Sequence, residues 1–474
     1  MGGVQDLLDD VMTRHRVVGA SACVLTDQGA VTATSGFARL DDQEQVSERT
    51  CFAWGSTAKL LTAFMVAQLV AEGLIALDDR LSDQVPWFAK AGPTAGDMTI
   101  RQLLSHTSGL ADDFRPLAGQ EELATMVAQA EPVAAPGERF SYSNVGYVLL
   151  GHLIEVTTGM TWESNLARRL LVPSGLSVVR TPVAQASGLA AEHRLDQHGG
   201  TVICDSWPRV GSGFAAAGST LCGSAADLAR LARVCLTGTD WPQARRLLPA
   251  ELAMELQTEY ATVPGLGLFE SGWGLGWAIE AGDPRSASAH RLVGHRGGTS
   301  ALVHADPATA MVVAVLTNTA GGELLGRELA GGLFGGPKPP ALNGAPLGSE
   351  SRLDRYVGDY RCPAFDLPVR RIDGGLEIAN PLTGRSVALS HLADDVFWAD
   401  FGELRTTVAF LDKGGDGRPT RVHAALRLLA RDTSRTSREA GGRKDVPVVA
   451  SRSDLHIVSG EPLRHVTPSA PKVR

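Results

Sequence analysis

The stretch "GGPKPPALNGAPLGSE", Gly335 to Glu350, constrains this chain most. It is rich in Pro and Gly, lacks periodicity, and reads as a linker. At 474 residues the chain exceeds what one compact core usually covers, so a unit on each side is expected. The two sides differ in character. Before the break, strand signals at both ends enclose helices. After it come short strands at steady spacing, with Gly/Asp turns.

The first part opens with an amphipathic helix, "MGGVQDLLDDVMTRHRVVGA". A hairpin follows, "ASACVLTDQGAVTATSGFA", turning at Asp27-Gln28-Gly29. Helices are expected in "CFAWGSTAKLLTAFMVAQLVAEGL", in "MTIRQLLSHTSGL" closed by Gly109, over Glu121–Ala130, and in "SNVGYVLLGHLIEVTTGM". In the last of these, Val145, Val148, Leu149, Leu153 and Val156 recur at helical spacing. "SAADLARLARVCL" and "ELLGRELAGGLF" are further helices. "GWGLGWAIE", "HRLVGHRGGTSALVHADP" and "AMVVAVLTN" read as strands. This order predicts one α/β (α+β) unit over residues 1–334, in which both ends share a sheet and the middle forms a helical lobe. Residues 351–432, with strands such as "LPVRRIDGGLEIAN" and "RVHAALRLLAR", predict a small all-β barrel. The Ser/Arg-rich tail, 433–474, is expected to be disordered.

Net charge is −8, which argues against nucleic acid as the main partner. No apolar run is long enough to cross a bilayer. The N-terminus lacks a positive region followed by an apolar core, so a cytoplasmic setting is expected. The six cysteines are scattered, without a C-x-x-C pair, and are read as reduced thiols. No His/Cys cluster has metal-ligand spacing, and neither metal nor cofactor is expected.

Three motifs carry chemistry. Ser56 and Lys59 stand three apart at the head of an apolar helix. A serine needs a base to become a nucleophile, and a desolvated lysine can be one. The spacing also fits an N-cap serine beside a snorkelling lysine. Tyr142 and Asn144 stand two apart before a helix. His295, Gly297 and Gly298 lie on a strand with little side-chain bulk, leaving room for a substrate backbone and for an N–H to meet an oxyanion. Arg296 either meets a substrate carboxylate or faces solvent. His106, Trp273, Trp277, His290 and His304 read as packing or turn residues, and Glu163 as an ordinary helical residue.

In this order, and over roughly Val4 to Phe334, these motifs resemble the serine β-lactamase/penicillin-binding-protein superfamily. The resemblance implies a β-lactamase-like domain with an antiparallel sheet and a helical lobe. It implies Ser56 as acylated nucleophile, Lys59 as its base and Tyr142 as proton shuttle. Asn144 would hold the substrate amide, and the N–H groups of Ser56 and Gly298 would form the oxyanion hole. One departure stands out: His295-Arg296-Gly297 replaces the family's common Lys-Thr-Gly. Histidine titrates near neutrality, so the fixed cation is lost. His-x-Gly is similar to the D-aminopeptidases, some esterases and the penicillin-binding-protein-type thioesterases. Those thioesterases carry a small lipocalin-like domain, which residues 351–432 resemble. They release and cyclise nonribosomal peptides. The expected function is therefore acyl transfer through Ser56 from a small-molecule or peptidyl (thio)ester, with peptide macrocyclisation favoured and a peptidyl carrier protein as a candidate partner. The rivals are D-aminopeptidase, esterase, transacylase and β-lactamase, and, in another class, a non-catalytic binding protein.

Overall fold

The computed structural model describes residues 2–433 apart from 86, 89–96, 113–126, 128–131, 177–187, 196–199, 205–211, 219–220, 267–269, 281–290, 299, 320, 335–349, 380–383 and 403–404. The expected linker and tail fall outside the described residues almost entirely, as do His290 and, Val127 apart, the helix expected over Glu121–Ala130.

The first part is built on a nine-stranded antiparallel sheet. Its strands are β1 (Gly19–Thr26), β2 (Gly29–Arg39), β3 (Glu44–Gln45), β4 (Ala261–Thr262), β5 (Gly272–Trp273), β6 (Ala278–Glu280), β7 (Leu292–Gly297), β8 (Ala301–Asp306) and β9 (Met311–Thr317). The spatial order is β3-β2-β1-β9-β8-β7-β6-β5-β4, so the N-terminal hairpin pairs with the last strand, β1 against β9. Both faces are covered. Val313 and Val315 pack with Leu8 of α1 (Gly2–His15) and with Leu325 and Leu329. Alternate residues Val312, Ala314 and Leu316 join the larger core on the other face. A strand buried on both sides has no polar positions to alternate with, which is why "MVVAVLT" is a continuous apolar run.

The helical lobe covers that second face. α2 (Lys59–Ala71) is buried nearly all round, and Lys59 is its one charged residue. α3 (Ile100–Leu104) starts with a capping box from Thr99 and Gln102. It ends at Leu104 rather than at Gly109, which instead sits in a turn with φ +76°. α4 (Asn144–Thr158) is capped by the Ser143 side chain and stopped by left-handed Gly159. Val156 breaks the expected apolar stripe, being 47% exposed near the helix end. α5 (Ala225–Thr237) carries a capping box from Ser224 and Asp227, and α6 (Gly322–Phe334) closes the unit.

Beyond it, nine strands form a nearly closed antiparallel sheet. They are β10 (Gly358–Cys362), β11 (Phe365–Ile372), β12 (Gly375–Ala379), β13 (Ser386–Ala388), β14 (Ser390–Ala393), β15 (Val396–Asp400), β16 (Arg405–Lys413), β17 (Pro419–Ala424) and β18 (Arg427–Arg431). The order is β13-β12-β11-β10-β18-β17-β16-β15-β14. Tyr360, Val369, Phe397, Val408, Val422 and Leu429 fill the interior. "RVHAALRLLAR" is two strands, not one. The chain reverses at Ala425 and Leu426, with φ of +48° and +66°. Such a two-residue turn usually carries Asn or Gly, so its sequence gave no signal.

The two parts meet at this reversal. Leu426 is buried with Phe140, Tyr142, Val263 and Trp273 of the first part. The Tyr142 N–H donates to the Leu426 carbonyl at 2.8 Å, and the Leu428 N–H to Ser141 Oγ at 3.2 Å. Arg421–Glu138, at 2.8 Å, adds an ion pair at the rim.

Candidate active site

Ser56 lies in a 3₁₀ turn, Gly55–Ala58, that runs directly into α2. Gly55 needs its positive φ of +50°, and the close packing beside it is made by two other glycines. A Cβ on Gly297 would stand 2.0 Å from the Trp54 carbonyl oxygen, and one on Gly218 2.2 Å from the Gly55 carbonyl oxygen. The bare backbone at Gly297 therefore makes room for the serine turn itself. At Gly298, with φ +60°, the Cβ direction is open.

Lys59 is fully buried. Its Nζ lies 3.1 Å from Ser56 Oγ and 2.7 Å from Asn144 Oδ1, and it also contacts the Ala217 carbonyl. Burial pushes its pKa down to about 7, with Asp112 acting upward and Arg427 downward. Asn144, the first residue of α4, is held in turn. Its N–H donates to Asp112 Oδ1 at 2.7 Å and its amide to Asp112 Oδ2 at 3.1 Å. Asn144 is thereby fixed between Lys59 and Asp112.

Tyr142 closes the other side. Its hydroxyl bonds Ser56, and burial nevertheless holds its pKa well above the usual phenol value. Its ring lies 5.0 Å from Lys59 Nζ and 4.2 Å from the His106 ring. His106 accepts a hydrogen bond at Nδ1 from the Ser143 N–H, so it braces the loop carrying Tyr142. Trp273 stacks edge-on to both Tyr142 and His295. His106 and Trp273 are packing residues, but of the site's own wall.

His295 shares the strand face with Gly297 and is 2% exposed. Its Nδ1 lies 2.9 Å from the Arg296 carbonyl, which only accepts, so Nδ1 carries the proton and Nε2 a lone pair. No protein group meets that Nε2 among the described residues. Burial, and then Lys59, push the imidazole pKa down to about 3. It is therefore neutral throughout the physiological range, contrary to the expectation of titration near neutrality.

Arg296 is largely buried rather than solvent-facing. It points to the opposite face of β7 and pairs with Glu323 of α6. Arg327 extends the network to Glu270 and Glu280, both at 2.8 Å, and His304 pairs with Glu280 at 2.8 Å. His304 is structural, as expected.

Two residues of the site carried no readable signal in the sequence: Asp112 and Arg427. Asp112 sits in an unremarked "GLADDF". Arg427 lies 315 positions away, on the barrel, and donates twice to Asp112 Oδ2, at 3.0 and 2.7 Å.

Among the described residues, no group of His, Cys, Asp and Glu could hold a metal ion, and no helix is long and apolar enough to cross a membrane.

The Beta-lactamase family model matches residues 4–332. Penicillin-binding protein 4 of Amycolatopsis lactamdurans is 34% identical over 349 residues, covering 70% of this chain and 90% of that protein. The crystal structure of SurE with D-Leu aligns with a TM-score of 0.70 and 28% identity, over 91% of this chain and 99% of that one. The octameric penicillin-binding protein homologue from Pyrococcus abyssi shares the fold at a TM-score of 0.61 and 24% identity, over 90% and 99% of the two chains. The chain belongs to the serine β-lactamase/penicillin-binding-protein superfamily, whose members are serine hydrolases or acyltransferases.

Proposed function

We propose that this protein transfers an acyl group from a peptidyl thioester or ester to Ser56, and then to an amine, releasing and cyclising a peptide. The surroundings of Lys59 Nζ carry the reading. A neutral amine has two N–H bonds and one lone pair. Asn144 Oδ1 and the Ala217 carbonyl can only accept, so they take the two hydrogens. The lone pair is then left for the third neighbour, the Ser56 hydroxyl.

As Ser56 Oγ bonds the substrate carbonyl carbon, its proton passes to Lys59 Nζ. Tyr142, kept protonated by burial, gives its proton to the departing sulfur and is reprotonated through Lys59. The C–S bond breaks and an ester on Ser56 remains. An amine attacks that ester, its proton returns through Tyr142 and Lys59, and Ser56 Oγ–H is restored. The tethered amine of the same peptide competes well with water because its effective concentration is high.

The acyl donor follows from the third motif. With Arg296 withdrawn into its ion network and His295 neutral, this position presents a lone pair rather than a cation. It suits a donor such as a peptide N–H better than the carboxylate of a β-lactam. The D-Leu held by SurE, a relative aligned over both domains, supports a D-residue at the acylating end. A peptidyl carrier protein in the cytoplasm is the proposed source of the thioester. The experiment supplies peptidyl thioesters ending in D- or L-residues and weighs the products. The D-series should yield cyclic peptide. Equal use of both series, or rapid turnover of penicillins alone, would reject the reading.

A further inference from the structure

The barrel reaches the catalytic lysine through a continuous chain of contacts. Arg427 donates twice to Asp112, whose carboxylate is fully buried. Asp112 takes two hydrogen bonds from Asn144, and Asn144 accepts one from Lys59. Arg427 also stands 5.3 Å from the Tyr142 ring, on which Lys59 lies at 5.0 Å. The segment that delivers it is costly to form. Ala425 and Leu426 both adopt the left-handed region, which disfavours residues with a side chain. Docking offsets that cost, through the Leu426 carbonyl bond to Tyr142 and the burial of Leu426.

We infer that the barrel is part of the acylation machinery, with Arg427 as a positioning residue that fixes Asn144 and Lys59 through Asp112 and offsets the Asp112 charge.

The electrostatic logic is direct. Around Lys59 stand Ser56, the Asn144 amide, the Ala217 carbonyl, the Tyr142 and Tyr147 rings, and the imidazoles of His106 and His295. Burial and then Lys59 push both imidazoles down, so they are neutral. The charged side chains acting on Lys59 are Asp112, which favours the ammonium, and Arg427, which opposes it. Without Arg427 the pull of the buried carboxylate on Lys59 would go unopposed, and the amine would stay protonated to a higher pH.

The inference rests on the proposed Ser56 chemistry, and the test separates the two. A fluorophosphonate is reacted with the full chain from pH 5 to 10, and Ser56 labelling is followed by intact mass. Absence of labelling in the wild type rejects the Ser56 reading itself. Given labelling, Arg427→Met should move the ascending limb upward by about one pH unit, the usual reach of a nearby charge. Arg427→Lys, keeping the charge, should leave the midpoint in place while slowing the reaction. Asp112→Asn should move the limb downward, and decides the matter alone if Arg427→Met does not fold. Opposite shifts support the inference. Arg427→Met and Asp112→Asn variants that lose rate at an unchanged midpoint would overturn it.

Discussion

A Cβ on Gly297 would lie 2.0 Å from the carbonyl oxygen of Trp54, two residues before Ser56. The end of β7 and the serine turn are therefore in backbone contact. Gly297→Ala should force them apart. We expect labelling of Ser56 to fall at least a hundredfold, with a stability loss of about 1–3 kcal/mol from overpacking. A melting curve and a labelling rate on one preparation check both. A variant that labels normally would mean the contact can relax.

Lys59 sets the pH dependence. Its pKa is lowered to about 7, so the amine becomes a competent base as pH rises through that value. The rate of Ser56 acylation should climb between about pH 6 and 8 and then level. His295, already neutral above about pH 3, should add no second inflection there. Lys59→Arg, with a guanidinium that stays protonated, should lose about 10²–10⁴ in rate at every pH. Stopped-flow acylation across pH tests this, and a surviving inflection in Lys59→Arg would assign it elsewhere.

Tyr142→Phe keeps the ring against His106, Trp273 and Leu426 but removes the hydroxyl that bonds Ser56. Its melting temperature should stay near wild type, while thioester turnover falls by about 10²–10⁴. Near-full activity would remove Tyr142 from the proton path.

Arg296 lies behind the site, in a buried network with Glu323, Glu270 and Arg327. Arg296→Met leaves buried carboxylates undercompensated, and should cost about 3–5 kcal/mol. Because the side chain faces away from the cleft, KM should hardly change at temperatures where the variant is folded. Denaturant unfolding beside steady-state kinetics distinguishes this from a substrate contact, for which KM would rise instead.

The parts legible in the sequence were those fixed by local chemistry. Alternating arms around Asp27-Gln28-Gly29 gave the first hairpin, and Ser143 and Gly159 bound a helix whose apolar spacing was plain. Ser56, Lys59 and Tyr142 were visible because nucleophile, base and phenol are set by short spacings. Arg296 was ambiguous because strand alternation leaves its face undetermined until α6 is placed. That Gly297 gives way to the Trp54 carbonyl was not readable, because that carbonyl is remote in sequence. Asp112 and Arg427 were silent for the same reason. An ion pair across 315 positions has no local pattern, and the turn that presents Arg427 lacks the residues such turns favour.

The central claim is that Ser56, served by a neutral Lys59, becomes acylated. The direct measurement is intact-mass spectrometry of the enzyme mixed with a D-terminated peptidyl thioester and quenched within one turnover, followed by peptide mapping. The account predicts a mass gain equal to the acyl group, located on Ser56, abolished in Ser56→Ala and rising with pH through about 7. An acyl group on another residue, or cyclic product formed by Ser56→Ala at the wild-type rate, would contradict it.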